Sequence, residues 1–160
     1  MAVVYLSLGS NIEREKNIRS AIETLRQYFP TMQCSPVYES EAVGFEGDNF
    51  LNLVVVIQTD KRVAELAALL HRIEDQHGRL RGGERFSARR LDIDILSYDN
   101  LSGEVDGIEL PRREILKNAF VLLPLADLAP GTLHPLEKKS YRELWQAFDK
   151  RKQKLWVVEL

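Results

Sequence analysis

The stretch Arg79-Leu-Arg-Gly-Gly-Glu-Arg-Phe-Ser-Ala-Arg-Arg-Leu-Asp-Ile-Asp-Ile-Leu96 joins a cluster of arginines to a short strand. Five arginines lie within twelve residues, although the whole chain has a formal net charge of only −2. The segment 91–96 alternates apolar and acidic residues, which predicts a strand. Because side chains alternate between the two faces of a strand, Asp92 and Asp94 share one face, and the apolar residues of the alternation share the other.

Two carboxylates side by side on one sheet face repel each other unless a cation lies between them. Magnesium suits such a pair, because it is bound by one or two carboxylates and completes its shell with water and substrate phosphates. The neighbouring guanidinium groups point to a polyphosphate, whose oxygens match their planar geometry. The alternative interpretation is a solvated arginine-rich loop that pairs with Asp92 and Asp94.

Length and composition are typical of one globular domain. Of the 160 residues, 44% are hydrophobic and 29% are charged, so we expect residues 1–160 to form a single domain with a substantial core. A pI near 6.0 argues against a general nucleic-acid binder. The single cysteine, Cys34, permits no internal disulfide, which fits a reducing compartment. Since we find no signal-peptide pattern and no membrane-spanning apolar run, we expect a cytoplasmic protein.

The spacing of apolar residues predicts the order β-α-β, β-α-β and then an α/β tail. In chain order, the predicted elements are a strand at 2–8, a helix that Asn11 can cap and that ends near Pro30, an extended segment at 31–40 with an edge or bulge at Pro36, a strand at 50–59, a helix at 63–76, strands at 91–96 and 105–110, a helical turn at 113–118, an apolar segment at 119–128, a helix at 141–148 and a strand at 154–158. This order is typical of a ferredoxin-like split βαβ arrangement. That is an α+β fold with an antiparallel sheet flanked by helices, expected on one side, here with an α/β C-terminal extension.

Three other polar features carry alternatives. Asn52 interrupts an apolar strand, and burying its amide unpaired would cost about 1–3 kcal/mol, so it should have a partner. That partner is either a backbone group or a heteroaromatic ligand. The segment 9–11 (Gly-Ser-Asn) is interpreted as a plain turn rather than a phosphate cradle. His71 and His77 have no Cys or His at metal-ligand spacing, so taken alone they are interpreted as surface residues.

Four motifs occur together over nearly the whole chain. They are Arg85-x-x-Ala88-Arg89-x-x-Asp92-Ile93-Asp94-Ile95-Leu96, Leu8-Gly9-Ser10-Asn11, Glu74-x-x-x-Gly78-Arg79 and Phe120-Val-Leu-x-Pro124-Leu125. In this combination the chain resembles the 6-hydroxymethyl-7,8-dihydropterin pyrophosphokinase family, which opens the pterin branch of folate synthesis. The resemblance implies transfer of a whole pyrophosphate group from ATP to the pterin hydroxymethyl oxygen, with release of AMP.

The resemblance also implies roles for individual residues. Asp92 and Asp94 would hold two Mg²⁺ ions, and Arg79 and Arg89 would neutralise charge on the transferring group. The pterin-binding residues would be Ser40, Val43, Phe50, Asn52 and Phe120. The ATP-binding residues would be His71, Glu74, Arg81, Arg85, Ile95, Arg112 and Arg113. The partners would be these two small molecules, with no nucleic acid and no membrane, and we expect a monomer.

Some positions depart from the usual family pattern, and three alternatives remain open. The departures are Gly82, Phe86, Ser87-Ala88, Arg112 and Asn118. They raise the first alternative, a paralogue that kept ligand binding and lost efficient catalysis. A single-stranded nucleic-acid binding module shares the split βαβ layout, but its phosphates would meet Asp92 and Asp94. A nucleotidyltransferase would carry its Gly-Ser turn and its Asp-x-Asp strand close together in sequence, whereas here they are far apart.

Overall fold

The computed structural model describes residues 1–41, 48–78, 91–151 and 153–160. The strands in these ranges are β1 (Ala2–Ser10), β2 (Gln33–Cys34), β3 (Val37–Ser40), β4 (Phe50–Thr59), β5 (Asp92–Tyr98), β6 (Gly103–Val105), β7 (Ile108–Leu110) and β8 (Leu155–Val158). The helices are α1 (Arg14–Tyr28), α2 (Val63–Gln76), α3 (Glu114–Lys117), α4 (Ala119–Leu128) and α5 (Tyr141–Ala147). None of the helices described in these ranges has the length and apolar character needed to cross a membrane.

Six strands form one antiparallel sheet in the order β5-β1-β4-β3-β8, and β2 also pairs with β4. The two central strands, β1 and β4, are joined from the pair Ala2–Thr59 to the pair Ser10–Leu51. The order β5-β1-β4-β3 is that of a split βαβ unit. The predicted α+β fold with an antiparallel sheet flanked by helices is therefore confirmed. The C-terminal extension is the part of the chain that follows β5, residues 99–160. It adds β8 as an edge strand.

The pleat of the central strands divides the apolar core into two clusters. Val4, Leu6 and Leu8 pack with alternate residues of β4 and β5 beneath α1 and α2. On the opposite face, Val54 and Leu96 lie in a smaller cluster with residues of α3, α4 and α5. Helices therefore cover both faces, and the expectation of helices on one side was wrong for the C-terminal extension. The reason is that α4, with six buried residues, needs a second sheet surface to bury it.

The start of α1 differs from the prediction. Asn11 is not the N-cap residue of this helix, and its side-chain amide donates to the backbone oxygen of Asp48 at 3.1 Å. The helix begins at Arg14, with Glu13 as N-cap residue in the left-handed region at φ 42°. The amide of Asn11 thus connects the turn after β1 to the segment that precedes β4.

Two predicted extended segments are interrupted. The segment 105–110, predicted as one strand, contains the turn and second strand of a β6–β7 hairpin over 103–110, because Asp106 and Gly107 have φ values of 51° and 81° and form a two-residue turn. The segment 31–40 is divided into β2 and β3 at Pro36, which has no N–H for the sheet. The adjacent Ser35 hydroxyl instead accepts from the backbone N–H of Val54 at 2.9 Å.

Two histidines have structural roles. His77, interpreted from sequence as a surface residue, is half-buried and bridges α2 and α1 through contacts with the Ile73 oxygen at 2.7 Å and the Ser20 hydroxyl at 2.8 Å. His134 is buried in the C-terminal extension, where its Nδ1 accepts from the backbone N–H groups of Leu136 and Glu137 at 3.1 and 3.0 Å. Burial lowers the pKa of the His134 imidazole below 6.5.

We expect the stabilising contribution of His134 to disappear at acidic pH. Because the folded protein lowers the pKa of this imidazole from 6.5, the stabilisation is present above that unfolded-state value and is lost as the pH falls through the folded-state value. Urea unfolding of the wild type and His134→Ala should therefore show a difference in unfolding free energy at about pH 8 that narrows at about pH 5. An equal difference at both pH values would contradict this expectation.

Candidate active site

A row of paired residues crosses four strands on the sheet face opposite α1 and α2. Asp92 on β5 pairs with Gly9 on β1, which pairs in turn with Asn52 on β4. Asn52 pairs with Tyr38 on β3. Directly paired residues of antiparallel strands project to the same face. Since neighbouring strands are about 4.8 Å apart, the backbones at Asp92 and Asn52 lie roughly 10 Å apart.

The two predicted metal-binding carboxylates lie on this face. Asp92 and Asp94 are half-buried, and Ile93 between them is 4% exposed and packs in the opposite core. The predicted alternation of β5 is therefore confirmed. Among the described residues, no three His, Cys, Asp or Glu side chains group as metal ligands. An ion held here would thus combine the two carboxylates with water and substrate oxygens, which is a shell that Mg²⁺ accepts.

Gly9 lies between Asp92 and Asn52 in this row, and the Asn52 amide packs closely against it. A β-carbon at this position would lie 3.0 Å from Asn52 Oδ1 and 3.9 Å from a ring carbon of Phe50. The first distance is shorter than ordinary van der Waals contact, so a larger residue would displace the Asn52 amide. Gly9, which the sequence predicted to begin a turn, lies instead near the end of β1, and the close approach of Asn52 is a packing reason for glycine there.

The Asn52 side chain is oriented by a neighbour. Asn52 is 6% exposed and Ser40 is 4% exposed, and Asn52 Nδ2 donates to Ser40 Oγ at 2.8 Å. The expected partner is thus present, but it is a side-chain hydroxyl rather than a backbone group. Because one N–H of the Asn52 amide is bound to β3, the orientation of the whole amide group is determined. The amide keeps one further N–H donor and its acceptor oxygen.

Two aromatic residues lie at the borders of this face. Phe50 begins β4 and pairs with Ser40. Phe120 lies in the first turn of α4, is half-buried, and packs against the cluster that contains Val54. Both were predicted to contact the pterin ring, and the structure places both on the side of the sheet that carries Asn52.

A tyrosine that the sequence analysis did not single out connects α4 to the sheet. The Tyr38 hydroxyl donates to the Asp127 carboxylate, and burial and this neighbouring carboxylate raise the pKa of the Tyr38 phenol above its ordinary range. Tyr38 follows Asn52 in the row of paired residues, so the bond attaches the helix that carries Phe120 to β3. The two residues are 89 positions apart, and no local pattern relates them.

A second network missed from the sequence lies where the segments on either side of residues 42–47 meet. Asn49 Nδ2 donates to Glu39 Oε2 at 3.0 Å, and Arg14 Nη1 lies 3.2 Å from the same oxygen. The hydrogen bond from Asn49 and the ion pair with Arg14 lower the pKa of the Glu39 carboxyl. Glu39 precedes Ser40 on β3, so the network holds β3 and the start of β4 together beside Asn52.

The Glu74 side chain is buried against β5, the strand that carries Asp92 and Asp94. It is 1% exposed, and its Oε2 accepts from the backbone N–H of Ile93 at 2.8 Å. β5 is at the edge of the described sheet, so the carboxylate occupies the position that a further strand would take. This bond fixes α2 to the residue between Asp92 and Asp94. A contact of Glu74 with the nucleotide stays a prediction.

The other described residues predicted to bind ATP are spread along the β5 side. Arg112 and Arg113 each form an ion pair with a nearby glutamate, at 3.2 and 2.7 Å. His71 is exposed on α2. The Ile95 side chain is 4% exposed and belongs to the core, so a nucleotide contact at Ile95 would use its backbone. Their roles in ATP binding stay predictions.

Five predicted site residues, namely Val43, Arg79, Arg81, Arg85 and Arg89, lie outside the described residues. The same is true of the departures from the family pattern at 82 and 86–88. The proposed role of the arginine cluster at 79–90 therefore stays a prediction, whereas Asp92 and Asp94 have a described place in the sheet.

Comparison with known proteins gives one consistent result. The family model described as 7,8-dihydro-6-hydroxymethylpterin-pyrophosphokinase (HPPK) matches residues 5–130. The chain is 37% identical over 147 residues to the 2-amino-4-hydroxy-6-hydroxymethyldihydropteridine pyrophosphokinase of Aquifex aeolicus (strain VF5), covering 89% of this chain and 90% of that protein. The identically named protein of Bacillus subtilis (strain 168) is 35% identical, with 79% and 77% covered.

Solved structures agree on the fold. A crystal structure of Plasmodium falciparum HPPK-DHPS matches with a TM-score of 0.72 and 14% sequence identity. The match covers 92% of this chain but 43% of that longer one. At this identity the likeness supports the fold alone.

We expect Glu74→Met to destabilise the protein by about 1–3 kcal/mol, because it removes the acceptor for the Ile93 N–H in a buried place. Gln76→Met is a matched control, since Gln76 is exposed on the same helix, and it should change stability by less than about 0.5 kcal/mol. Urea unfolding measures both. Equal effects of the two substitutions would show that the bond to β5 does not stabilise the fold.

Proposed function

Because the chain belongs to the 7,8-dihydro-6-hydroxymethylpterin-pyrophosphokinase family, we propose that it transfers pyrophosphate from ATP to 6-hydroxymethyl-7,8-dihydropterin in folate biosynthesis. The observation that carries this proposal is the row that places Asp92, Gly9 and Asn52 on one sheet face. It sets a pair of carboxylates and an oriented amide on the same sheet face, with Gly9, which has no side chain, between Asp92 and Asn52. With a cation bound, the carboxylates suit a phosphate-bearing substrate, and the oriented amide suits a heteroaromatic one.

The chemistry is one group transfer. The hydroxymethyl oxygen of the pterin attacks the β-phosphorus of ATP, and the bond from this phosphorus to the oxygen that bridges to the α-phosphate breaks. AMP leaves, and the hydroxyl proton is released. Such a transfer needs little covalent chemistry from the protein, so catalysis depends on alignment of the two substrates and on neutralisation of phosphate charge.

The pterin would lie over β1 and β4. The Asn52 amide, oriented by Ser40, would pair with the adjacent donor and acceptor atoms of the ring. Phe120 and Phe50 would contact its faces, since aromatic side chains bind flat rings by stacking. Because the Asn52 backbone is roughly 10 Å from that of Asp92, a ring anchored at Asn52 would extend its hydroxymethyl group toward the carboxylates.

The phosphates would lie over β5. Asp92 and Asp94 fit Mg²⁺, because they are hard oxygen ligands on one face of a strand whose backbone is bound by Glu74; we propose two ions. Bound magnesium would neutralise the phosphate oxygens and stabilise the charge that develops on them. Arg79 and Arg89 would supply further positive charge to the transferring group.

An AMP-release assay with ATP and magnesium, run with and without the pterin, tests the proposal. The wild type should release AMP only when the pterin is present. Asp92→Asn and Asp94→Asn should each lower the rate by roughly 100-fold or more, with the unfolding midpoint unchanged. Asp60→Asn is the control, since this aspartate is exposed outside the site. Pterin binding without AMP release would contradict the proposal and favour a paralogue that kept the pocket alone.

Asn52→Ala should weaken pterin binding about 5- to 150-fold, because the ring would leave polar groups unpaired when it is buried. ATP binding should be unchanged, since the nucleotide lies over β5. Isothermal titration calorimetry with each substrate separates the two affinities, and Asn100→Ala in an exposed turn is the control. Equal losses of both affinities would contradict the assignment of Asn52 to the pterin.

A further inference from the structure

The amide of Gln153 bridges the junction of α3 and α4. Its Oε1 accepts from the backbone N–H of Ala119 at 2.6 Å, and its Nε2 donates to the backbone oxygen of Lys117 at 2.8 Å. One side chain therefore binds the first residue of α4 and the last residue of α3. It comes from a segment 34 positions further along the chain.

These two backbone groups lie at helix ends, where partners within the helix are missing. The first four N–H groups and the last four carbonyls of a helix have no intrahelical partner. Asn118 is the N-cap residue of α4, and within the described part of the chain its side chain makes no capping hydrogen bond. Gln153 supplies this cap from outside the helix through its Oε1. Its Nε2 binds the end of the preceding helix, α3.

The junction lies directly next to Phe120. This residue follows Ala119 directly and lies in the first turn of α4, where helices fray unless their ends are bound. Ala119 is 1% exposed, so the capped turn is well packed. Gln153 binds Ala119, and Ala119 is covalently joined to Phe120. We therefore expect a change in the Gln153 hydrogen bonds to shift the Phe120 ring.

The strand that follows Gln153 reaches the other side of the same site. In β8, Leu155 pairs with Ser40 on β3, and Ser40 accepts from Asn52. One C-terminal segment thus binds both the helix that carries Phe120 and the strand that orients Asn52. The HPPK family match ends at residue 130, so this segment lies outside it.

From these contacts we propose that the segment 153–158 completes the pterin site, and that Gln153 is a positioning residue for Phe120. The proposal rests on the proposed function, because it assigns Phe120 to the pterin. We expect its effect to be larger for the pterin than for ATP, because β8 and β5 lie at opposite edges of the sheet and β8 is thus remote from the carboxylates over which ATP would bind.

Gln153→Met tests the proposal, because methionine keeps the length of the side chain and removes both hydrogen bonds. It should raise the KM for the pterin about 2- to 12-fold, which is the loss expected for one hydrogen bond, with the KM for ATP unchanged. Gln153→Glu keeps the acceptor for the Ala119 N–H and should lie between the wild type and Gln153→Met. Gln146→Met makes the same chemical change at an exposed position of α5 and should match the wild type.

Two measurements separate positioning from a general loss of structure. Amide hydrogen exchange should show faster exchange at Ala119 in Gln153→Met and no change at Ile93. Calorimetry should show weaker pterin binding and the same ATP binding. Unchanged exchange at Ala119, or equal losses for both substrates, would overturn the proposal.

The outcomes also separate this proposal from the proposed function. A wild type that releases pterin-dependent AMP, with Gln153→Met indistinguishable from Gln146→Met, overturns the role of Gln153 and leaves the proposed function intact. A wild type without AMP release overturns the proposed function. In that case the pterin affinity measured by calorimetry tests Gln153 by itself. A weaker affinity in Gln153→Met than in the wild type supports its role. An unchanged affinity in Gln153→Met, or no measurable pterin binding by the wild type, overturns it.

Discussion

Two like charges that are two residues apart on one strand must share a sheet face, and the surrounding structure accommodates this repulsion. The intervening Ile93 is buried in the core on the opposite face, so Asp92 and Asp94 cannot turn away from each other without exposing it. The Ile93 N–H is bound by the buried Glu74 carboxylate. The core therefore holds one side of the strand and Glu74 binds its edge, so the two carboxylates are fixed where we propose that they bind a cation.

The second sheet face divides into a packed part and a part with polar groups. α4 and α5 cover the region around Val54 and Leu96. The row through Gly9 and Asn52 instead carries polar side chains, and Gly9 in this row has no side chain. The boundary depends on the position of α4. That helix is attached to β3 by the Tyr38–Asp127 hydrogen bond and is capped at its start from Gln153.

The C-terminal extension therefore connects fold and site. Its strand β8 pairs with β3 along a register that includes Ser40, and Ser40 in turn orients Asn52. An element that is added to the edge of a split βαβ sheet thus reaches the centre of the site through two hydrogen-bonded steps. These contacts are the basis of our proposal that a segment beyond the family match contributes to the site.

Much of this protein follows from sequence alone. The alternation around Asp92, the apolar run of β4 and the helical spacing of α2 depend on near neighbours in sequence, so periodicity predicted these two strands, this helix and the shared face of the carboxylates. The family motifs determined the chemistry. Only the tertiary structure decided that Ser40 orients Asn52, that Glu74 binds the edge of β5, that Tyr38 holds α4, and that Gln153 caps it. Each of these is a bond between elements that only folding brings together, and local spacing carries no information about such pairs.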